Sequence, residues 1–144
     1  MRSTSVDPAP TWTTRLPAER PARSPDGVAW SILAGEQLVG RTDLKDIAWI
    51  DRQAATRIVI APAAWGRGYA SEAVQLHTAY AFDELGLERL EAEAFAENGA
   101  MHRVLEKAGY GQFGRRRRAI YRGGAWHDLV LFEVLREEWR ARGP

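Results

Sequence analysis

The sequence predicts an α+β fold in which helices pack on the faces of a mixed, mostly antiparallel sheet. Two hairpins are indicated by the pairs Gly35-Glu36 and Gly123-Gly124, each of which separates two apolar, strand-like runs. Between these hairpins, a β-branched strand at residues 57–60 is followed by a helical pattern and by another strand at residues 88–95. A helix that connects two strands favours their parallel pairing, so we expect a parallel strand pair within the sheet.

Length and composition bound the class of protein. The 144 residues suffice for one domain with a buried core. Lys and Arg number 20 and Asp and Glu number 19, so no global field attracts nucleic acid or membranes, and neither is expected as a partner. Cysteine is absent, which excludes disulfides, cysteine-ligated metals and a thiol nucleophile, and we expect no metal. Because no signal peptide or membrane-spanning apolar run is visible, we expect a cytoplasmic protein.

The chain divides into two predicted parts. Residues 1–26 carry five prolines among Ser, Thr and Arg, which is typical of a poorly ordered linker, with one short strand at residues 11–16. Residues 27–144 form the predicted domain. The strands predicted for its first half lie at residues 28–33, 37–43, 47–50 and 54–60.

Two helices are predicted from apolar spacing and from the signals at their ends. The first covers residues 69–85 and is expected to end at Gly86. The second begins after Asn98, a favourable N-cap residue, and ends at Gly109. The strands of the closing hairpin are predicted at residues 115–121 and 126–135.

The turn before the first helix carries the strongest functional signal. Gly66 and Gly68 let the backbone curl around a ligand without a Cβ in the way. The first N–H groups of the helix have no internal partner and, together with the helix dipole, bind anions. Arg67 adds a permanent positive charge. The pattern therefore indicates a phosphate-binding cradle, with a plain strand-to-helix turn as the simpler alternative.

Residues 65–70, Trp-Gly-Arg-Gly-Tyr-Ala, resemble the acetyl-CoA signature of the GNAT acetyltransferase superfamily. That signature is Gln or Arg, two residues, Gly, one residue, and Gly or Ala. Trp65 departs from it, yet the run is similar to the branch that acetylates the N-termini of ribosomal proteins. The segments that resemble this branch, in the same order, are residues 80–90, 97–98, 106–110, 126–131 and 135–139.

The resemblance implies acetyl-CoA as co-substrate and a GNAT-like fold from whose start the usual N-terminal helices are missing. The residues that it assigns to acetyl-CoA are Val59, Ile60, Trp65, Gly66, Arg67, Gly68, Tyr69, Ala70, Ser71 and Asn98. Asn98 is similar to the family asparagine that hydrogen-bonds the pantetheine arm, and capping of the second helix is its alternative role. Ser71 could contribute a hydroxyl to the phosphate site or only favour the helix start.

The implied activity is transfer of an acetyl group from acetyl-CoA to a primary amine, directly within a ternary complex. α-Amines have pKa values near ~7.7–8.0 and are neutral more often than lysine-like amines near ~10.4, so the α-amino group of a protein or peptide is the expected acceptor. Glu93 is similar to the family's strand glutamate and is the candidate general base, with a solvent-facing carboxylate as the alternative. Asp128 is the candidate for holding a cationic amine, and it could equally pair with a neighbouring arginine.

His77 and the arginines at residues 115–118 are not assigned catalytic roles. His77 lies in the middle of the apolar face of the first helix and is expected to be packed, not catalytic. Strand alternation should send two of the arginines at 115–118 to each face of the sheet. From there, Arg116 or Arg118 could meet the CoA phosphate or an acidic acceptor.

Two alternative functions remain, and one assembly is expected. The acceptor could be a small-molecule amine such as an aminoglycoside or a polyamine, or the domain could bind CoA or a partner without turnover. Relatives carry helices ahead of the first hairpin, and without them an apolar region that includes Trp30 and Trp49 should be exposed. A second copy of the chain is expected to cover that region, which predicts a homodimer.

Overall fold

The computed structural model describes residues 22–143. Its strands are β1 (Ala22–Ser24), β2 (Gly27–Ala34), β3 (Gln37–Ala48), β4 (Gln53–Ile60), β5 (Arg89–Phe95), β6 (Gly111–Arg122) and β7 (Ala125–Leu135). Its α-helices are α1 (Tyr69–Ala79), α2 (Gly99–Lys107) and α3 (Arg136–Ala141). The seven strands form one sheet in the order β1-β2-β3-β4-β5-β7-β6. None of the helices in this part of the chain has the length and apolar character needed to cross a bilayer.

The sheet is antiparallel except at its centre. Strands β1 to β4 form a meander, and β7 lies between β5 and β6 in antiparallel pairing with both. Strands β4 and β5, which are connected through α1, pair in parallel. The α+β fold with a mixed, mostly antiparallel sheet and a parallel strand pair is thereby confirmed.

One face of the sheet carries the main core. On β5, the side chains of Leu90, Ala92 and Ala94 are buried, whereas the alternate residues are partly exposed, as expected for a strand with one covered face. Val74 of α1 and Leu105 of α2 belong to the same hydrophobic core. The opposite face of β5 is therefore free to present polar side chains.

The helix ends follow the local signals in the sequence. Helix α1 continues through a π-helical turn, in which the N–H of Leu85 bonds the carbonyl of Tyr80 at 3.1 Å, and the chain then turns at Gly86 with a φ of +69°. Asn98 caps α2, because its Oδ1 accepts the N–H of Met101 at 3.1 Å. These ends confirm the predicted stop of the first helix and start of the second.

One predicted strand and the predicted exposure of one tryptophan are wrong. No separate strand exists at residues 47–50, because β3 runs on to Ala48 through an irregularity after Lys45. Trp30 is 4% exposed and packs edge-on against Tyr80, so its expected place in an exposed apolar region is wrong. Trp49 is 49% exposed, as expected.

The division of the chain at residue 26 stays a prediction. The short strand predicted at residues 11–16 lies outside the described residues. Within the segment that was predicted to be a linker, Ala22–Ser24 forms the edge strand β1 and pairs with β2.

Candidate active site

Strands β4 and β5 separate after a short stretch of pairing. They pair only where Gln53, Ala54 and Ala55 lie beside Arg89, Leu90 and Glu91. Beyond this point β4 stays paired with β3 as far as Ile60, and β5 stays paired with β7 as far as Phe95. Because each strand follows a different neighbour, a cleft of about 750 Å³ opens between them.

The cleft is lined by residues from both faces of the sheet. Ala92 and Ala94 of β5 line it on the covered face, together with Met101 of α2. Glu91 and Glu93 point to the other face and line it as well. The cleft therefore passes through the sheet, with an apolar helix side and a charged side.

The glycine turn stands at the start of α1, beyond the end of β4. Gly66 and Gly68 have φ values of +78° and +84°, which favour glycine, and a Cβ on either would meet nothing within 4 Å. Gly68 has no side chain with which to cap the helix, so no N-cap side chain occupies the first N–H groups of α1. The Trp65 Nε1 donates to the carbonyl of Ile60 at 2.8 Å and ties the turn to β4. This turn fits an anionic ligand.

The other residues assigned to acetyl-CoA lie on both sides of this turn. Arg67 is exposed and has no carboxylate partner within residues 22–143. Val59 is exposed on β4, whereas Ile60 packs against the smaller core cluster. Asn98 lines the cleft while it caps α2, and Ser71 accepts a 3.5 Å hydrogen bond from Gln75. The glycine turn and the cleft thus lie at the same end of β4.

Glu93 lines the charged side of the cleft and forms an ion pair with Arg116. The two residues lie on strands that are separated by β7. Glu93 is opposite Leu131 and Arg116 is opposite Leu129, so all four share one face of the sheet. The Glu93 side chain is 40% exposed and the Arg116 side chain 56% exposed. Arg116 of β6 thus contacts Glu93, the candidate general base on β5.

Basic and acidic side chains are mixed on this side of the cleft, and most of the carboxylates are paired with arginines. Arg57 donates to Asp43 at 2.9 Å, and this buried carboxylate raises the pKa of the Arg57 guanidinium. Glu91 is paired with Arg89. Lys45 and Arg122 line the cleft without a carboxylate partner within the described residues. Asp46 also lines it and has no ion pair there.

Asp128 does not line this cleft. Its carboxylate accepts hydrogen bonds from Arg115 Nε at 2.9 Å and from the Arg118 backbone N–H at 2.7 Å. These bonds lower the pKa of Asp128. Its role in binding an amine stays a prediction, and its observed partners are those of the alternative, a pairing with neighbouring arginines.

The arginine run on β6 does not alternate as predicted. The pairing of β6 with β7 is interrupted between Arg116 and Ile120, and Arg118 has a φ of +50°. Arg116 turns to the cleft, whereas Arg117 and Arg118 line a separate surface cavity beside Asp128. The prediction of two arginines on each face is therefore wrong, because an irregularity in the strand resets the alternation.

Residues 2–111 match the family model described as the acetyltransferase (GNAT) domain. The chain belongs to the GNAT family.

Relatives within the GNAT family agree with this assignment. The chain is 30% identical over 112 residues to "Uncharacterized N-acetyltransferase YoaA" of Bacillus subtilis, an alignment that covers 76% of this chain and 63% of the relative. It is 31% identical over 114 residues to "Putative ribosomal N-acetyltransferase YdaF" of the same organism, covering 79% of this chain and 62% of the relative. The chain thus spans less than two thirds of the length of these relatives.

A solved structure shows the same GNAT fold. The spermidine/spermine N-acetyltransferase SpeG from Vibrio cholerae superposes with a TM-score of 0.79 at 20% identity, covering 92% of this chain and 75% of that one. At this identity the likeness concerns the fold.

The sequence alone did not reveal the charged side of this GNAT cleft. Lys45, Arg57 and Arg122 are not predicted as cleft residues, because the sequence does not show where the sheet opens, and Lys45 and Arg122 lie outside the predicted strands. The pairing of Arg116 with Glu93 was also missed. Counting alternate residues from Leu129 to Leu131 on β7 gives their common face, but only once the strand register is known.

Proposed function

We propose that this GNAT domain transfers the acetyl group of acetyl-CoA to the α-amino group of a protein or peptide. The observation that carries the proposal is the cleft through the sheet, which has the glycine turn near its helix side and Glu93 on its charged side. Two ligands can approach such a cleft from opposite faces and meet between the strands. This geometry suits direct transfer in a ternary complex.

The residues of the helix side would hold the acyl donor. The N–H groups at the start of α1, which no N-cap side chain occupies, and the cation of Arg67 suit the pyrophosphate, since both oppose its negative charge. Val59, Ile60 and Asn98 flank the way from the turn to the cleft and suit the pantetheine arm. Acetyl-CoA supplies an activated acetyl thioester at this position.

Glu93 would act on the acceptor side. A bond forms between the amine nitrogen and the acetyl carbon, and the carbon–sulfur bond breaks. CoA leaves as a thiolate that takes a proton from water, and the amine must lose a proton. Glu93 accepts that proton, directly or through a water molecule, after it has separated from Arg116. The carboxylate stands 40% exposed in the cleft, so water and substrate can reach it.

The charges of the cleft favour an α-amine over a small polycation. A polyamine carries several positive charges and would require acidic walls. In the described region the cleft presents two cations without an ion pair, Lys45 and Arg122, against one such carboxylate, Asp46. With a pKa near ~8, about a tenth of a peptide's α-amine is neutral at pH 7, far more than of an amine with a pKa near ~10.4. The rest of the peptide can leave through the open charged side.

Thiol release from acetyl-CoA tests the proposal. The assay would present a panel of peptides with free α-amines, the same peptides with acetylated N-termini, and spermidine. We expect thiol release with free peptides and little with the blocked ones. Faster turnover of spermidine would support a small-amine enzyme, and thermal stabilisation by acetyl-CoA without thiol release from any amine would support a non-catalytic domain.

Replacement of the candidate base tests its role. Glu93→Gln should lower kcat by ~10²–10⁴, and the loss should shrink at high pH, where more of the acceptor is already neutral. Stabilisation by acetyl-CoA should persist in this variant. Glu106→Gln, which removes an exposed carboxylate of α2, is the matched control and should keep the parent kcat. A pH–rate profile that Glu93→Gln leaves unchanged would assign proton removal to solvent.

A further inference from the structure

Two arginines hold the two glutamates of the cleft in different ways. The Arg89 side chain is 22% exposed and bonds Glu133 and Gln53 as well as Glu91. It also lies over the ring of Phe113, 5.4 Å from the centroid. This network fixes the cation beside Glu91.

Arg116, in contrast, has Glu93 as its one carboxylate partner within residues 22–143, and its side chain is 56% exposed. Partly exposed ion pairs of this kind are weak, because water competes for both charges. Arg116 also lies on β6, which is the edge strand of the sheet formed by residues 22–143. Its guanidinium can therefore move away from Glu93 without breaking an ion pair to another residue of the described chain.

We infer that Arg116 is a specificity-determining residue that occupies the Glu93 carboxylate before the acceptor binds and thereby selects neutral amines over polycationic amines. The inference rests on the proposed function and names the acceptor class of the same site. A polycation gains from Glu93 only if the carboxylate's charge is uncompensated, and Arg116 compensates it. A neutral amine needs only a hydrogen-bond acceptor, which the carboxylate still offers when Arg116 shifts.

The ion pair leaves Glu93 able to act on an acceptor. Both side chains are partly exposed, so the guanidinium can separate from the carboxylate and leave it to the amine. Lys45 and Arg122, on the walls of the same cleft, add to the repulsion of polycations.

The inference is tested by titrating spermidine into the protein in a calorimeter, with no acyl donor present. Arg116→Gln should bind spermidine about tenfold more tightly than the parent, since a positive charge next to the binding carboxylate is removed. Arg116→Thr, which suits an edge strand, should show the same gain and serves as a second variant. Arg116→Lys keeps the charge and should behave like the parent.

Two controls distinguish an effect at the cleft from the general effect of removing a positive charge from the protein. Arg117→Gln removes the same charge from the neighbouring residue, which does not line the cleft, and should change spermidine binding by less than about twofold. In the double variant Glu93→Gln/Arg116→Gln the gain should vanish, because the carboxylate that receives the amine is gone.

Equal spermidine affinity of Arg116→Gln and the parent would overturn the inference, and so would a gain that survives in the double variant. Because the titration contains no acetyl-CoA and needs no turnover, its result is independent of the thiol-release assay. Absence of thiol release with every amine would instead refute the proposed function. In an active parent, Arg116→Gln should also raise the ratio of kcat/KM for spermidine to that for a peptide.

Discussion

His77 fixes the helix that carries the glycine turn to the strands that border the cleft. It is 1% exposed, and its Nδ1 lies 2.6 Å from the Thr42 hydroxyl. That hydroxyl donates its one proton to the carbonyl of Arg57, so His77 Nδ1–H is the donor to Thr42. Nε2 is then a bare acceptor, buried and without a hydrogen-bond partner in the described part of the chain. A proton on Nε2 would find no acceptor there.

Burial lowers the pKa of His77 from 6.5 to about 3. Below pH 6.5 the unfolded chain takes up a proton at this residue that the folded chain refuses, so stability falls as the pH falls towards 3. Between pH 7.5 and pH 5.0, a shift of this size removes about 2 kcal/mol from the free energy of unfolding. The exposed carboxylates with lowered pKa values, such as Asp128, stay ionised in this range and contribute little to the change.

The assay is urea unfolding of the parent and of His77→Asn at both pH values. The asparagine amide can still donate to Thr42 but cannot titrate, so the variant should start less stable and lose little further between pH 7.5 and pH 5.0. His102→Asn, a substitution of a histidine on α2, is the matched control and should retain the parent's loss. Equal losses in the parent and in His77→Asn would refute the reasoning.

Four further predictions concern the donor site, the sheet and the assembly. Gly68→Asp should abolish thermal stabilisation by acetyl-CoA, whereas Gly35→Asp, at a comparable φ of +66° in the β2–β3 turn, should retain it; equal behaviour of the two would contradict the site. Asn98→Ala should cost ~1 kcal/mol in unfolding, while Asn98→Asp keeps the cap and isolates any contact of the amide group with acetyl-CoA. Gly40→Ala should destabilise by ~1–3 kcal/mol in urea unfolding, because its methyl group would press on the Val59 carbonyl, and an unchanged midpoint would contradict that contact. Light scattering across a dilution series should report a homodimer, and a strictly monomeric mass would exclude it.

Features governed by neighbouring residues could be predicted from the sequence. The stop at Gly86 and the cap at Asn98 depend on backbone conformations and hydrogen bonds within a few residues, and the structure shows both. The glycine turn was recognised for the same reason. Its positive φ values restrict the residue type locally, whatever the rest of the sheet does.

Features that depend on distant pairing could not be predicted in this way. Trp30 is buried because the turn after α1 brings Tyr80 onto it, and nothing near Trp30 in the sequence reports that contact. The face of the sheet on which the Arg116 side chain lies depends on where the register between β6 and β7 shifts. The opening of the cleft depends on β4 and β5 each keeping a different partner strand, which is a property of the whole sheet.

The parallel pair explains why the donor cradle and the candidate base share one end of the sheet. In a strand–helix–strand unit, the helix begins beyond the carboxyl end of the first strand, so the glycine turn must follow Ile60. Pairing of β4 with β5 is confined to their first residues, so the strands diverge towards that same end. Ligands of open sheets bind outside the carboxyl ends of their strands for this topological reason. Glu93, near the carboxyl end of β5, is thereby brought to the divergent end, and a hairpin connection between the two strands would have placed the turn, the helix start and the base apart.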